Sequence, residues 1–359
     1  MHEVLHCITT IDRGGAENQL LTLAIEQKKS GLKVRVIYLK GSAELADQFS
    51  NAGIEVLNFI ANLNPFFQII KLKNYLKNYP GILHSHLPRA ELIGAISKSD
   101  GPFVVSKHNS EKFIPKAPNF LSRIFSRYVL HKSDYCIVIS RAVSNYLISI
   151  NELYVTDTFS VVHYGIPTNF PTSRKNVNHG HDKSDLIKIG TIGRIVTQKD
   201  YPTLLHAFSL LGNKLKSYEL LVVGDGALKN KMINLAKKLK INESIRWIGK
   251  VTDVESVLSE MDLFVLSSKY EGFGLVLLEA MQSRIPILAA NNSAISEVLG
   301  SDYPGLFNTG NSDDLYNKIM MCESIDFKDD LVFFADQRMK CFDSIEMSKS
   351  INNIYGIIN

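Results

Sequence analysis

Two glutamates near residue 275 flank a glycine-rich turn and the start of a predicted helix. The segment reads Glu271-Gly-Phe-Gly-Leu-Val-Leu-Leu-Glu279 and follows a strand-like apolar run at Leu263–Leu266. Glycines let backbone N–H groups approach a ligand closely, and the N-terminal end of a helix favours a phosphate. A carboxylate accepts two hydrogen bonds from neighbouring hydroxyls, as sugar and ribose recognition requires. The segment therefore predicts a site for a ligand that carries both phosphate and hydroxyl groups.

Glu279 has a second interpretation as an ordinary surface residue of a helix over Leu275–Ser283. The residues around it, Leu277–Met281, are otherwise apolar. A carboxylate among apolar side chains needs a partner to offset its lost hydration. We therefore favour a ligand contact for Glu279.

A second constellation lies in Gly190–Asp200, where a strand ends in a glycine turn. Arg194 and Lys199 lie five residues apart in this turn, before a helix that begins near Pro202. Two cations at the carboxyl end of a strand suit a diphosphate, whose charge they also stabilise as it leaves. Together with the glutamate segment, this turn predicts a diphosphate site.

Weaker signals lie in the first half of the chain. Gly14 and Gly15 close the first strand-to-helix turn, where a phosphate or sugar can approach the helix, although glycine pairs also open helices for packing reasons. His84, His86 and His108 follow or end predicted strands and can bond a hydroxyl. Histidines at strand ends are more often structural, so both interpretations stay open.

The elements that must position these residues are short β-branched runs that alternate with longer helical stretches, which is typical of parallel α/β sheets. Predicted strands of a first set are Val4–Ile8, Val34–Leu39, Ile54–Phe59, Ile82–His86, Phe103–Lys107, Tyr135–Ser140 and Phe159–His163. Those of a second set are Ile187–Ile192, Glu219–Val223, Ile245–Ile248, Leu263–Leu266 and Ile285–Ala289. We expect two Rossmann-like domains that face each other across a cleft, with a ligand at the carboxyl ends of their strands.

The expected first domain spans residues 1–171, and a C-terminal helix within 340–359 packs back on it. A polar linker at 172–186 precedes a second domain at 187–339. The linker contains His179 and His181, and we favour solvated histidines over a metal site because the ligand set is incomplete.

Bulk properties fit a globular protein with two domains. The chain has 359 residues, 45% hydrophobic and 21% charged, with a net charge of +4. This modest charge suits an anionic substrate or a membrane surface, and it equally suits a neutral enzyme with scattered lysines. We expect no nucleic-acid partner. The four cysteines show no metal-site spacing, and we find neither a secretion leader nor a membrane-spanning run. We expect a cytoplasmic protein that meets a membrane, if at all, from its inner face.

The order of these motifs resembles group 1 glycosyltransferases, the retaining enzymes of glycosyltransferase family 4 with the GT-B fold. Motifs that carry the resemblance are Gly-Gly-Ala-Glu, His-Ser-His, His-Tyr-Gly165-Ile-Pro, Gly193-Arg-Ile-Val-Thr-Gln-Lys199, Gly224-Asp-Gly226, Gly249-Lys-Val and Glu271-x7-Glu279. The resemblance runs from about residue 12 to residue 300. Asp200 departs from the pattern, since many members have glycine after the lysine.

The resemblance implies a role for each matched residue. Arg194 and Lys199 would bind the diphosphate, Glu271 the transferred sugar and Glu279 the ribose, with the base near Gly249–Val251. The implied catalytic residues are Arg194, Lys199, Glu271 and His108. The implied donor-binding residues are Gly14, Gly15, Gly193, Arg194, Lys199, Gly249, Val251, Glu271, Gly272, Phe273, Gly274, Leu275 and Glu279.

The resemblance also implies a reaction. A hexose or N-acetylhexosamine would move from a UDP- or GDP-linked donor to a glycan or lipid-linked acceptor with retention, in surface polysaccharide or lipid-linked oligosaccharide synthesis. The sequence contains no Asp-x-Asp pair, so we expect no obligatory metal. We also expect that Glu271→Ala and Lys199→Ala abolish transfer and leave the fold intact, because both side chains should face solvent.

Two basic segments bear on the acceptor. Lys71, Lys73 and Lys77 share one helical pattern, and Phe120–Leu130 is amphipathic with two arginines. Such segments rest on anionic membranes or pack their apolar faces into a core. For Phe120–Leu130 we favour the core, and peripheral membrane association remains a hypothesis.

Three other functions each fit part of the sequence. A nicotinamide-dependent dehydrogenase fits poorly, since lysine stands at the third position of the fingerprint after Val223. A sugar-nucleotide epimerase on the same scaffold is the better alternative, although it should carry acidic and histidine groups for elimination. A non-catalytic binding protein is disfavoured by the complete set of charged site residues.

Overall fold

The structure is a computed structural model that describes residues 3–167 and 186–358. The described chain forms two compact units. The first comprises residues 3–167 and 342–358, and the second residues 186–341. The expected linker, with His179 and His181, lies outside the described residues up to position 185.

The first unit is built on a parallel sheet of seven strands in the order β3-β2-β1-β4-β5-β6-β7, counted over the described residues. The strands are β1 (Glu3–Ile8), β2 (Lys33–Tyr38), β3 (Glu55–Leu57), β4 (Ile82–His86), β5 (Phe103–Lys107), β6 (Tyr135–Val138) and β7 (Phe159–Val161). The helices before β7 are α1 (Gly15–Lys29), α2 (Ala46–Asn51), α3 (Pro65–Leu76), α4 (Pro88–Ser97), α5 (Asn119–Lys132) and α6 (Arg141–Ser149).

The second unit carries a parallel sheet of six strands in the order β10-β9-β8-β11-β12-β13, again over the described residues. Its strands are β8 (Ile187–Ile192), β9 (Tyr218–Val223), β10 (Ile245–Gly249), β11 (Leu263–Leu266), β12 (Ile287–Asn291) and β13 (Leu306–Asn308). Its helices are α7 (Tyr201–Ser209), α8 (Lys229–Lys238), α9 (Val254–Leu258), α10 (Leu275–Gln282), α11 (Ser293–Leu299), α12 (Ser312–Met321) and α13 (Ile325–Met339). Short 3-10 turns lie at Thr197–Lys199, Gly212–Ser217 and Asn242–Ser244.

The last helix, α14 (Ser344–Ile357), returns to the first unit and packs against α1. Its inward face buries Met347, Ile351, Ile354 and Tyr355. A bridge between Ile166 and Asp343 pairs the two stretches of chain that enter and leave this unit.

The prediction of two Rossmann-like parallel sheets is confirmed. Their central strands are buried on both faces, as in β1, where Val4, Leu5, Cys7 and Ile8 have no exposed area. Helices cover both sides of such sheets, so near-continuous apolar runs are expected. The sequence patterns missed β13, which has only three residues.

The core interpretation of Phe120–Leu130 is wrong for most of its large apolar side chains. In α5 the side chains that face inward are Ser122, Ser126, Val129 and Leu130. The exposed ones are Phe120, Leu121, Ile124, Phe125 and Tyr128. Small serines let α5 lie close to the rest of the unit, so the buried face of this amphipathic helix is not its aromatic one.

Candidate functional site

The second sheet reverses its strand order between β8 and β11, which are neighbours although they are distant in sequence. In open α/β sheets, ligands bind at the carboxyl ends of strands beside such a switch point. The turn after β8 carries Arg194 and Lys199, and the turn after β11 carries Glu271. The topology therefore brings the two strongest sequence signals to one edge of one sheet.

Backbone and side-chain hydrogen bonds join these two turns. The Ser267 hydroxyl donates to the Lys199 carbonyl at 2.9 Å, and the Lys269 N–H donates to the Gln198 carbonyl at 2.8 Å. On the far side of β11, the Asn292 amide donates to the Ser268 carbonyl at 2.9 Å. Because three strands contribute, the loops are held in place before any ligand arrives.

Lys199 and Glu271 form an ion pair at the centre of this edge. Lys199 Nζ lies 2.6 Å from Glu271 Oε1, and the two side chains are 14% and 8% exposed. The expectation that both face solvent is therefore wrong. Each neutralises the other in a partly desolvated place, so removing either one takes away the opposite charge that compensates the other.

Arg194 differs from Lys199 in that its side chain is exposed. Within the described residues it makes no ion pair. An exposed guanidinium on a fixed loop presents several hydrogen-bond donors in a planar fork, which suits a phosphate. The edge thus holds one paired cation and one cation available to an anionic ligand.

Three glycines lie at the carboxyl ends of the adjacent strands β8, β9 and β10, where Gly193 and Gly224 follow their strands and Gly249 ends β10. A Cβ at Gly224 would lie 2.0 Å from the Gly193 carbonyl oxygen, and Gly224 itself has a φ of +131°. The Gly224 N–H donates to the Gly249 carbonyl at 2.7 Å. A Cβ at Gly193 would lie 3.1 Å from Lys199 Cε, so this glycine also leaves room for the lysine stem. Val251, half-buried, follows Gly249 by two residues.

The turn from Gly272 to Gly274 leads directly into α10. Gly274 is the residue before the helix and has a φ of +90°, a left-handed conformation that favours glycine. Phe273 is 2% exposed and anchors the turn in the core, while Leu275 is the first helical residue. The first N–H groups of a helix lack intrahelical acceptors, so this end is suited to an anion.

Glu279 lies one turn into α10 among buried apolar neighbours. Burial raises the pKa of its carboxyl to about 7 from an ordinary value of 4.5. Within the described residues its carboxylate has no hydrogen-bond or ion-pair partner. Bringing an unpaired acid this far out of water costs free energy, and a ligand with hydroxyl groups would offset that cost.

Asp200 occupies a backbone conformation that favours glycine. Its backbone is left-handed, with φ 46° and ψ 47°. The side chain is buried, accepts a hydrogen bond from the Thr203 hydroxyl at 2.7 Å and lies 3.6 Å from Lys269 Nζ. These contacts offset the backbone strain that a non-glycine residue brings to this conformation.

The remaining predicted residues belong to the first unit. Gly14 precedes α1, and a Cβ there would lie 2.3 Å from Glu17 Oε2, so a side chain would displace that carboxylate. Gly15 is the exposed first residue of α1. His108 is half-buried after β5, and its two ring nitrogens bond His86 and Tyr164.

His84 and His86 do not project to solvent from their strand end. Both are buried, and burial lowers their pKa well below the ordinary 6.5. Sequence reasoning missed His6, whose ring lies 3.0 Å from that of His86 by nitrogen-to-nitrogen distance. A histidine between Leu5 and Cys7 in an apolar strand was the available signal, because a buried polar side chain needs a partner.

Two Rossmann-like units, one with acidic and basic turns at its switch point, define a protein of the GT-B fold class. Residues 13–170 match Glycosyltransferase Family 4, and residues 173–326 match Glycosyl transferases group 1. The chain belongs to the group 1 glycosyltransferases of family 4.

Curated relatives agree with this family, and solved structures agree with the fold. A Haemophilus influenzae protein named as an uncharacterized glycosyltransferase is 33% identical to this chain over 103 residues. The matched region covers only 29% of this chain and 29% of the relative's length. An α-1,4-N-acetyl-D-galactosaminyltransferase of Campylobacter jejuni, named for a glycan on PP-undecaprenol, is 24% identical over 96% of this chain and 95% of its own. Anabaena HepE, solved with UDP, superposes with a TM-score of 0.78 at 19% identity, over 99% of each chain.

Proposed function

We propose that this chain is a retaining glycosyltransferase that moves a hexose or N-acetylhexosamine from a nucleoside diphosphate sugar to a glycan or lipid-linked acceptor. The observation that carries the proposal is the edge formed by the turns after β8 and β11. It combines the Lys199–Glu271 pair with the exposed Arg194 and with Glu279, whose carboxylate is partly buried and unpaired within the described residues. Cations for a diphosphate thus lie beside carboxylates for hydroxyl groups.

In this proposal the second unit binds the donor substrate. Arg194 and Lys199 hold the diphosphate with backbone N–H groups of Phe273, Gly274 and Leu275. Glu271 accepts hydrogen bonds from the transferred sugar, and Glu279 accepts them from the ribose hydroxyls. The remaining donor-binding assignments in this unit are Gly193, Gly249, Val251 and Gly272, and the family resemblance adds Gly14 and Gly15 of the first unit. HepE was solved with UDP and with UDP-glucose, so UDP is the first nucleotide to test, and GDP is the second.

The chemistry needs positioning more than a nucleophile. The bond from the anomeric carbon to the diphosphate breaks, and a bond from an acceptor hydroxyl forms on the same face of the sugar. The leaving diphosphate takes the hydroxyl proton. Arg194, Lys199 and the start of α10 stabilise the charge that develops on the diphosphate, as preorganised cations and N–H groups do in other active sites. No step requires a metal ion.

A thermal-shift screen against UDP- and GDP-linked hexoses and N-acetylhexosamines tests the donor assignment. A ligand at 100 times its dissociation constant stabilises the folded chain by about 2.7 kcal/mol. We expect one nucleotide class to raise the melting temperature, and no stabilisation by any of them contradicts the proposal. If a nucleotide sugar alone is converted to its isomer, the epimerase alternative is correct instead.

We further propose that the acceptor is lipid-linked and that the enzyme works at the inner face of a membrane. The Campylobacter jejuni relative is named for such an acceptor. The exposed aromatic side of α5, with Phe120 and Ile124, is interrupted by the exposed Arg123. In α3, Phe66 is 66% exposed and lies on the same helix as the exposed Lys71. Apolar side chains beside cations match an anionic lipid surface.

No helix in the described parts of the chain has the length and apolar character to cross a bilayer. Flotation with vesicles tests the proposed surface binding. We expect binding to anionic vesicles and weaker binding to zwitterionic ones. A double variant, Phe120→Ser with Ile124→Ser, should bind at least about tenfold more weakly, because two inserted apolar side chains are lost.

The second unit supplies a matched control for this test. Phe333 and Ile325 are 60% and 49% exposed on α13, close to the 55% and 56% of Phe120 and Ile124. Replacing this second pair by serine should leave vesicle binding unchanged. Equal loss in both double variants, or no binding of the wild type to anionic vesicles, contradicts the membrane proposal.

A further inference from the structure

A cluster of buried histidines lies where the first sheet reverses its strand order, between β1 and β4. His6, His84 and His86 bring one nitrogen each to within 4.8 Å of one another. Every ring nitrogen of the three already has a protein partner, so the cluster does not need a metal to satisfy its polar atoms. His84 bonds the Tyr355 and Ser106 hydroxyls, at 2.6 and 2.7 Å.

The other two histidines belong to a longer hydrogen-bonded chain. His6 Nδ1 lies 3.0 Å from His86 Nε2, and His86 Nδ1 lies 3.1 Å from His108 Nε2. His108 Nδ1 in turn bonds the Tyr164 hydroxyl. At the opposite end, His6 Nε2 lies 2.7 Å from Gln27 Oε1. Three imidazoles in series thus connect Gln27 to Tyr164.

Beyond Gln27 the hydrogen-bonded series ends on a backbone carbonyl, which can only accept a hydrogen bond. The Gln27 amide nitrogen donates to Asn352 Oδ1 at 3.1 Å, and Asn352 Nδ2 donates to the Ser30 hydroxyl at 3.2 Å. The Ser30 hydroxyl donates its one proton to the Gln27 backbone carbonyl at 2.7 Å. A carbonyl oxygen has no proton to give, so it fixes the direction of every bond before it.

The direction then passes through each ring. Because Ser30 must accept a hydrogen bond from Asn352, the Asn352 side chain turns its NH2 group to Ser30 and its oxygen to Gln27. The Gln27 side chain therefore turns its NH2 group to Asn352 and its oxygen to His6. A neutral imidazole donates from one nitrogen and accepts at the other. His6 therefore donates from Nε2 and accepts at Nδ1, and His86 does the same.

The same rule reaches His108, which donates from Nε2 to His86 and accepts at Nδ1 from Tyr164. Neutral rings are required for this pattern. Burial supplies them, because it lowers the pKa of His6 to about 4 and that of His108 to about 3, from an ordinary 6.5. Bonds in series polarise one another, which strengthens the preference for one direction.

We propose that Gln27, His6 and His86 are positioning residues that hold the His108 proton on Nε2 and keep Nδ1 as a hydrogen-bond acceptor. The proposal rests on the proposed function and on the catalytic role for His108 that the family resemblance implies. Toward a bound substrate, His108 then accepts a hydrogen bond from a hydroxyl at Nδ1, in place of Tyr164, and donates none. If the hydrogen bonds ran in the opposite direction, His108 would carry its proton on Nδ1 and donate from that nitrogen.

Histidine-selective ¹⁵N labelling of the full chain tests the direction without any substrate. Long-range ¹H–¹⁵N spectra near pH 7 distinguish a protonated ring nitrogen from an unprotonated one, and His108→Gln assigns the signal. We expect the Nε2–H form for His6, His86 and His108. An Nδ1–H form at His108 overturns the proposal.

A pair of glutamine variants separates direction from packing. Gln27→Met removes the acceptor at the end of the chain, whereas Gln68→Met makes the same change at another glutamine with no exposed area in the same unit. In Gln27→Met the two His108 nitrogen shifts should move toward each other, as the tautomers mix, and kcat should fall about twofold with the donor KM unchanged. In Gln68→Met the tautomer should stay single. Unchanged tautomers in Gln27→Met contradict the proposal.

These readouts keep two failures apart. If the chain transfers no sugar but His108 has the expected tautomer, the proposed function is wrong and the hydrogen-bond direction is right. If transfer occurs and His108 has the opposite tautomer, the proposed function is right and the hydrogen-bond direction is wrong.

Discussion

At the scale of single residues, the Lys199–Glu271 ion pair joins the stability of the second unit to the proposed donor site. Each side chain is largely buried and compensates the charge of the other. We expect Lys199→Ala to weaken UDP binding at least about tenfold and to lower the melting temperature, because it removes the cation that is paired with a buried carboxylate. Calorimetric titration with UDP and thermal melting measure the two effects.

The double variant Lys199→Ala with Glu271→Ala is the control for this interpretation. Because both charges of the pair are removed, the double variant should have a higher melting temperature than Lys199→Ala, while its UDP binding stays weak. Single variants that are as stable as the wild type would show that the pair does not form as described.

Glu279 is predicted to oppose stability in the absence of a ligand. Its pKa is raised to about 7 in the folded chain, so folding favours the protonated acid. The wild type therefore loses stability as pH rises from 4.5 through 7, and this loss is absent below 4.5. Because the side chain is only partly buried, Glu279→Gln should gain about 1–2 kcal/mol at pH 8 and nothing near pH 4.

The same Glu279→Gln variant should bind UDP more weakly, since the charged acceptor for the ribose hydroxyls is gone. Unfolding by denaturant at the two pH values measures the first effect, and titration with UDP the second. A variant that is less stable than the wild type at pH 8 would contradict the unpaired state of this carboxylate.

At the scale of elements, the turn between β8 and α7 depends on a left-handed residue. Asp200→Gly removes the strain at φ 46° but also removes the Thr203 hydrogen bond, so we expect a stability within about 1 kcal/mol of the wild type. Asp200→Ala keeps the strain and loses the same contact, and should cost about 1–3 kcal/mol. Equal stability of the two variants, measured by denaturant unfolding, would contradict this account.

Strand patterns and turn chemistry were readable from sequence because they are local. The apolar and β-branched runs of the sequence predict β8 and β11. The glycines before α10 predict the tight turn that leads into this helix. The Lys199–Glu271 pair joins residues 72 positions apart, and the His6–His86 bond joins residues 80 apart. Such contacts depend on the sheet order, which periodicity alone does not give.

Amphipathic helices show the same limit. The pattern of α5 predicts one polar and one apolar face, but not which of them packs inward. Ser122 and Ser126 face the core because a close approach of backbone needs small side chains, and the aromatic residues are left outside. Exposed aromatic surface beside cations became visible only in the structure.

At the scale of the whole molecule, the two units supply different chemistry. The second unit holds the proposed donor site at the switch point of its sheet, and the first carries His108 with its hydrogen-bonded chain and the exposed faces of α3 and α5. Family membership agrees with this division, since different family descriptions match the two halves.

The most direct measurement of the central claim is an NMR spectrum of the reaction with an α-linked UDP- or GDP-sugar and an undecaprenyl-diphosphate-linked glycan. The account predicts a new α-linked sugar on the acceptor, with release of the nucleoside diphosphate, and no such product from Lys199→Ala with Glu271→Ala. A β-linked product, an isomerised nucleotide sugar, or undiminished transfer by the double variant would contradict it.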